Sequence, residues 1–169
     1  MQNEEEEILE IVDRDGKVIG QATRAAVHAN PALLHRVVHV LIFDNAGRLL
    51  LQRRSMNKDV APGRWDTSVG GHISPGEKPL AAAAREMREE LGISGPALEF
   101  LYEYLFTNRR ESELVSTFRC THEGAMDINR DEIDQVSFWQ ICDIQSALGN
   151  GILSAHFEQE FRNYLKRAG

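Results

Sequence analysis

The sequence predicts an α/β fold in which a mixed β-sheet is covered by helices. Three observations carry that expectation. Apolar runs of strand length stand on both sides of a helical pattern near residues 78–91, that pattern has a clear stop, and a second helical pattern closes the chain.

Taken in order, "ILEIVD" (Ile8 to Asp13) alternates and then meets "RDG", the mark of a short strand ending in a turn, and "KVIGQATR" returns as a second strand. "VVHVLIFDNAGRLLLQRR" reads as the clearest hairpin, with two apolar runs flanking Asp44-Asn45-Ala46-Gly47. Val37 to Phe43 is nearly all apolar, as expected of a strand covered on both faces. Pro62-Gly63 breaks the chain before "WDTSVGG". Lys78 to Leu91 reads as a helix: Leu80, Ala84, Met87 and Leu91 recur at i, i+4, i+7 and i+11, and Gly92 stops it. "LEFLYEYLF", "ELVSTFRCTH" and "IDQVSFWQI" are further strands. "ILSAHFEQEFRNYLKRAG" is helical, with Ile152, Phe157, Phe161 and Leu165 on one side. The acidic tract Glu4 to Glu7 is expected as part of a frayed start over residues 1–7.

A chain of 169 residues fits a single domain with a real core. Its net charge of −7 argues against non-specific binding to a nucleic-acid polymer or an anionic membrane, but leaves room for a small phosphorylated ligand. Cys120 and Cys142 make no disulfide framework, which points to a reducing, cytoplasmic setting. No apolar run approaches the roughly 20 residues of a spanning helix, and the acidic start lacks the basic region of a signal peptide.

The helix carries an anomaly. Successive residues turn by about 100°, so Glu86, Glu89 and Glu90 fall within an arc of about 100° beside the apolar stripe. Like charges at these spacings repel by a few tenths of a kcal/mol per pair. Glu89 and Glu90 also occupy the last turn, where the helix dipole favours cations. A solvated acidic face is the bland explanation. A divalent cation is the functional one, because hard cations take carboxylate oxygens and bridge to substrate phosphates. The surroundings favour the second. Gly70-Gly71 lets backbone approach closely, His72 to Glu77 is a short stiff connection, and Arg85 can reach Glu89 or fold back to Glu77.

From Gly71 to Ile93 the chain fits G-x5-E-x7-R-E-U-x-E-E-x-G-U, where U is bulky and apolar, at Gly71, Glu77, Arg85, Glu86, Met87, Glu89, Glu90, Gly92 and Ile93. This resembles the signature box of the Nudix hydrolases. The resemblance implies a Nudix fold, an α/β/α sandwich with a mixed β-sheet, and hydrolysis of a diphosphate linkage in nucleoside-diphosphate-linked or related substrates. It implies Mg²⁺ or Mn²⁺ as cofactor, held by Glu86, Glu89 and Glu90 with a backbone carbonyl at Gly70 or Gly71. Glu77 and Arg85 match the pair that braces the loop against the helix. Cations there neutralise the diphosphate and lower the pKa of a bound water. Glu89 is assigned as the base that takes the water's proton, in a family whose base varies. Dimers are common in such proteins, so a homodimer is the expectation by analogy.

A second constellation lies outside the box: His28, His35, His72, Glu111 and Glu113. The stretch from Ile8 to Phe118 is similar to the isopentenyl-diphosphate isomerases and the Nudix hydrolases closest to them. In those isomerases three histidines and two glutamates hold a divalent metal, and these five residues occupy matching places. Imidazoles with carboxylates suit Zn²⁺, Mn²⁺ or Mg²⁺. The group fits a structural metal clamp, a second catalytic metal site or a relic without metal. The isomerase, however, needs a cysteine just before the Gly-His, and here that position is Gly70. The complete box and the missing thiol favour hydrolysis, with an isomerase-like activity and a non-catalytic nucleotide-binding module as the alternatives.

Arg53, Arg54 and Lys58 are the candidates for contacting a diphosphate. Arg53 and Arg54 face opposite sides of a strand, so at most one faces the site. Trp65 reads as a buried aromatic, Cys120 as a buried strand residue, and Glu132 as a late carboxylate of low rank.

Overall fold

The structure is a computed structural model and describes residues 3–168. Its elements are β1 (Ile8–Val12), β2 (Val18–Thr23), α1 (Arg24–Val27), β3 (Leu34–Phe43), β4 (Leu49–Arg54), β5 (Trp65–Asp66), β6 (Val69–His72), α2 (Pro79–Leu91), β7 (Glu99–Thr107), β8 (Ser112–Thr121), β9 (Ile133–Trp139), α3 (Ile141–Ala147) and α4 (Ala155–Arg167). Among the described residues no helix is long and apolar enough to cross a membrane.

β3 is the axis of a mixed sheet. Along one edge it pairs with β8 in parallel, from Leu34 opposite Ser112 to Phe43 opposite Thr121. Its other edge is shared in succession. Ile11 of β1 lies opposite His35, β6 lies opposite Val37 to Val40, and Leu49 of β4 lies opposite Phe43. Val37 to Phe43, His39 apart, is apolar on both faces because each face is covered. Val38, Val40 and Ile42 pack on one side with Ala83, Met87 and Leu91 of α2. Leu41 packs on the other with Ile144 of α3 and Phe157 and Phe161 of α4. The result is the expected α/β/α sandwich.

The expected hairpin is only half present. The turn at Asp44 to Gly47 forms, and Asp44 Oδ1 accepts from the backbone of Ala46 and Arg48. But β4 leaves β3 after the pair Phe43–Leu49 and runs instead between β9 and β5. Apolar strands pair wherever burial is best, and sequence adjacency does not decide it. The divergence divides the sheet.

Three further expectations change. The buried face of α2 is Ala82, Ala83, Met87, Glu90 and Leu91, rotated toward the glutamates, while Leu80 is 53% exposed. The closing helix begins at Ala155, capped by Ser154, whose side chain accepts from the Phe157 N–H. Ile152 precedes it and is exposed, and α3 went unforeseen. Lastly, Glu4–Glu6 is a formed 3-10 turn in place of a frayed start, tied down by Arg24 Nη1 donating to Glu4 at 3.1 Å; Met1 and Gln2 lie outside the described residues.

Phe157 is fully buried between the sheet and α3. Phe157→Ala should cost about 3–5 kcal/mol of unfolding free energy, read from denaturant titration.

Candidate functional site

The gap between the arms of the sheet opens into a cavity of about 500 Å³. α2 brings its acidic end to one wall. Gly92, at φ 65°, closes the helix in a left-handed cap, its N–H donating to the carbonyls of Arg88 and Met87. Arg85 holds the acidic end together. Its Nε and Nη2 donate to the two carboxylate oxygens of Glu77, each at 2.9 Å, and Nη2 also donates to the His72 carbonyl at 3.0 Å. Its Nη1 donates to Glu86 at 2.8 Å and Glu89 at 3.2 Å. Arg85 therefore makes both contacts open to it from sequence, pinning loop to helix.

Glu86 and Glu90 line the cavity; Glu89 does not, and its side chain is 55% exposed on Arg85. Glu90 is buried, accepts from the Gly70 N–H at 3.2 Å and lies 3.4 Å from Gln52 Nε2. Burial pushes the Glu86 carboxyl up to about 7, against the opposing pull of Arg85. Burial, then the neighbouring Glu86 and Glu132, hold Glu90 well above the carboxylate range. Gly71 is required here: a Cβ on it would fall on the Glu86 carboxylate. Glu132, ranked low from sequence, lines the same cavity and lies 3.9 Å from Lys58 Nζ. Arg54 also lines it, donating to the Val60 carbonyl at 2.7 Å and to Asp66 at 3.4 Å. Arg53 does not line it, in keeping with the alternation of a strand.

Four members of the second constellation, His28, His72, Glu111 and Glu113, line the same cavity, and the fully buried His35 stands beside them. His35 on β3 and Glu113 on β8 are register partners. His28 follows α1, with its Nε2 at 3.1 Å from Nε2 of His72 and 3.3 Å from Glu111 Oε2. Nδ1 of His72 faces Glu7 at 3.4 Å, which leaves the Nε2 lone pair for the cluster. Nε2 of His35 and Oε2 of Glu111 and Glu113 are buried without a hydrogen-bond partner. Burial pushes His28 down to about 4 and His35 to about 3, so both are neutral at pH 7. Neutral imidazoles, unpaired buried oxygens and two lone pairs converging on one point form a donor set that fits a divalent cation. His28, His35 and His72, and likewise His35, Glu111 and Glu113, offer atoms within 4.8 Å of one another.

Sequence reading missed His156, Glu7, Asp66 and His39 in this cavity. His156, from α4, lies 3.1 Å from Glu111 Oε1 and 3.7 Å from Glu113 Oε1. Burial disfavours its charge, but these carboxylates outweigh that and raise it to about 9. The charged ring in turn helps hold Glu111 down to about 2, against burial. Only the docking of α4 brings His156 here. His39 alternates with His35 on one strand face, and that period was the available signal.

A mixed sheet that divides to admit a glutamate-bearing helix end, braced by one arginine, defines an α/β/α sandwich built around a carboxylate-lined cleft. A family model described as the NUDIX domain matches residues 33–160, and the chain belongs to the Nudix hydrolase family. An uncharacterized Nudix hydrolase of Escherichia coli, YfcD, is 33% identical over 130 residues, covering 77% of this chain and 72% of that protein. The isopentenyl-diphosphate Delta-isomerase of Streptomyces griseus is 52% identical over 87 residues, which is 52% of this chain but only 44% of the isomerase. Among solved structures, DR0079 from Deinococcus radiodurans superposes with a TM-score of 0.81, at 23% identity, over 93% of this chain and 98% of that one; the likeness there is one of fold.

A carboxyl whose folded pKa is raised contributes stability while protonated. For Glu86 that contribution is complete below its ordinary value of 4.5 and is lost as pH climbs through about 7. A cation binding the ionised form opposes the loss. Added Mg²⁺ should therefore raise the thermal midpoint more at pH 8 than at pH 5, measured by calorimetry. Gly71→Ala should reduce that increment at pH 8 by displacing Glu86.

Proposed function

We propose that this chain hydrolyses a diphosphate linkage in a small phosphorylated substrate, nucleoside-linked or related, with Mg²⁺ or Mn²⁺ held at the acidic end of α2. The observation that carries the reading is the pair Glu86 and Glu90: two carboxylates facing one cavity, both held above their ordinary range by burial. Two neighbouring buried carboxylates are costly when the one cation in contact, Arg85, reaches Glu86 and not Glu90, and a divalent cation offsets the cost.

Glu86, Glu90 and the backbone at Gly70–Gly71 are the ligands we assign, with Glu132 completing the acidic wall and Glu89 at its rim. The cation supplies positive charge against the diphosphate and makes nearby water more acidic. Arg85 and Glu77 keep Glu86 in place. Arg54 and Lys58, which line the same cavity beside Glu132, are assigned to the phosphate oxygens, and Arg53 is left out of that role. We assign proton acceptance from water to Glu86 or Glu132, which face the cavity, in preference to the exposed Glu89. His28, His35, His72, Glu111 and Glu113 hold a further divalent cation, with Glu7 orienting His72.

The isomerase alternative draws on the likeness to the Streptomyces enzymes. Against it, Cys120 is packed with α2 in the core and pushed up to about 11 by burial, and Cys142 lies exposed on α3. Neither lines the cavity.

The test is release of phosphate or a monophosphate from a panel of diphosphates with Mg²⁺ or Mn²⁺. Glu86→Gln and Glu90→Gln should each lower the rate by about 10²-fold or more with circular dichroism unchanged; wild-type rates in both would refute the site. Deuterium exchange from D₂O into isopentenyl diphosphate should be absent. Elemental analysis of protein purified without added metal should find near-stoichiometric metal that His28→Ala loses.

A further inference from the structure

Glu160 stands where an apolar side chain would be expected. It lies on the inner face of α4 and is fully buried beside Phe161. It accepts from Thr117 Oγ1 at 2.6 Å and from the Tyr102 hydroxyl at 3.3 Å. Nδ1 of His39 lies 3.5 Å from Glu160 Oε1, and the Tyr104 hydroxyl lies 3.5 Å from the same nitrogen. Withdrawing a carboxylate from water costs several kcal/mol unless its partners restore the loss. A satisfied buried network of this kind fixes the orientation of its members, and the member that reaches the cavity is His39.

With Nδ1 turned to Glu160 and Tyr104, the Cδ2–Nε2 edge of the ring borders Gly70. A Cβ on Gly70 would stand 3.3 Å from Cδ2 and 3.7 Å from Nε2. The bare glycine therefore leaves the ring its place at the cavity wall. Flipping the ring would give up the Glu160 and Tyr104 contacts together, so the outward nitrogen is set by the network behind it.

We propose that His39 is a substrate-contacting residue, its imidazolium paired through Nδ1–H with Glu160 and donating from Nε2–H to an oxygen of the bound diphosphate ester, and that Glu160 is the positioning residue that fixes its ring. This rests on the diphosphate reading above and adds to it a contact outside the Nudix box and outside the histidine–glutamate cluster. The contact comes from the sheet face that packs on α4, so the closing helix takes part in recognition as well as in packing.

The test uses methylenediphosphonate, which cannot be hydrolysed between its phosphorus atoms, in the presence of Mg²⁺. In ¹⁵N-labelled wild-type protein, the His39 Nε2 resonance should move relative to Mg²⁺ alone and saturate with the binding curve from calorimetry. His39→Leu should bind about tenfold more weakly, the loss expected for a hydrogen bond to a charged group, and His39→Gln should recover part of that. In Glu160→Gln the Nε2 resonance should broaden and affinity should fall toward that of His39→Leu. The nitrogen measurement is made on wild-type protein, so it decides the matter even where Glu160→Gln fails to fold. Binding with an unmoved His39 resonance, or wild-type affinity in His39→Leu, overturns the contact and leaves the hydrolase reading intact. A Glu160→Gln protein that binds and shifts like wild type removes the positioning role. Absence of binding to wild-type protein sinks both readings.

Discussion

One guanidinium carries the local architecture of the cleft. Arg85 donates to Glu77, Glu86 and Glu89 and to the His72 carbonyl, so it joins the loop, the helix and the end of β6 through a single planar group. Without it, the acidic last turns of α2 would repel one another and meet an unfavourable helix dipole. With it, Glu86 is held against Gly71, and Glu90, one turn on, reaches the Gly70 N–H. The geometry of arginine matters because a bidentate pair fixes orientation as well as distance; a lysine would supply the charge without the fork.

The division of the sheet is the second constraint. A strand shared along one edge by three successive partners cannot keep a continuous ladder, and β4 leaves to pair with β9 and β5. The opening admits side chains from both faces of the sheet. The carboxylates of α2 enter from one side, and the histidines of β3 and α4 from the other. Two clusters far apart in sequence thereby border one space.

Their electrostatics differ in a way burial explains. On the α2 side, carboxylates are crowded with few cations and are held above their ordinary range. On the histidine side, burial keeps His28 and His35 neutral, while His156 is charged and holds Glu111 ionised. One wall is short of positive charge; the other offers neutral nitrogen donors beside an ionised oxygen. Both arrangements are receptive to divalent cations, by different routes.

The sequence by itself determined what depends on local spacing. The box from Gly71 to Ile93, the anomaly of Glu86, Glu89 and Glu90, the alternation that separates Arg53 from Arg54, and the helix stop at Gly92 are all set by neighbours within a turn or two. The five residues of the second cluster were legible as a set only through family resemblance. Tertiary structure decided which strand pairs with which, because apolar strands of similar composition compete on burial and not on adjacency; hence the hairpin that opens after one pair. It also decided which face of α2 is buried, since Glu86 and Glu90 turn inward to a cavity that no helical period encodes. His156, Glu160 and Glu7 acquire their partners only when α4 and the amino-terminal segment dock, at separations of 45, 43 and 65 residues. Contacts at that range carry no signature in a single chain, because no local preference specifies them.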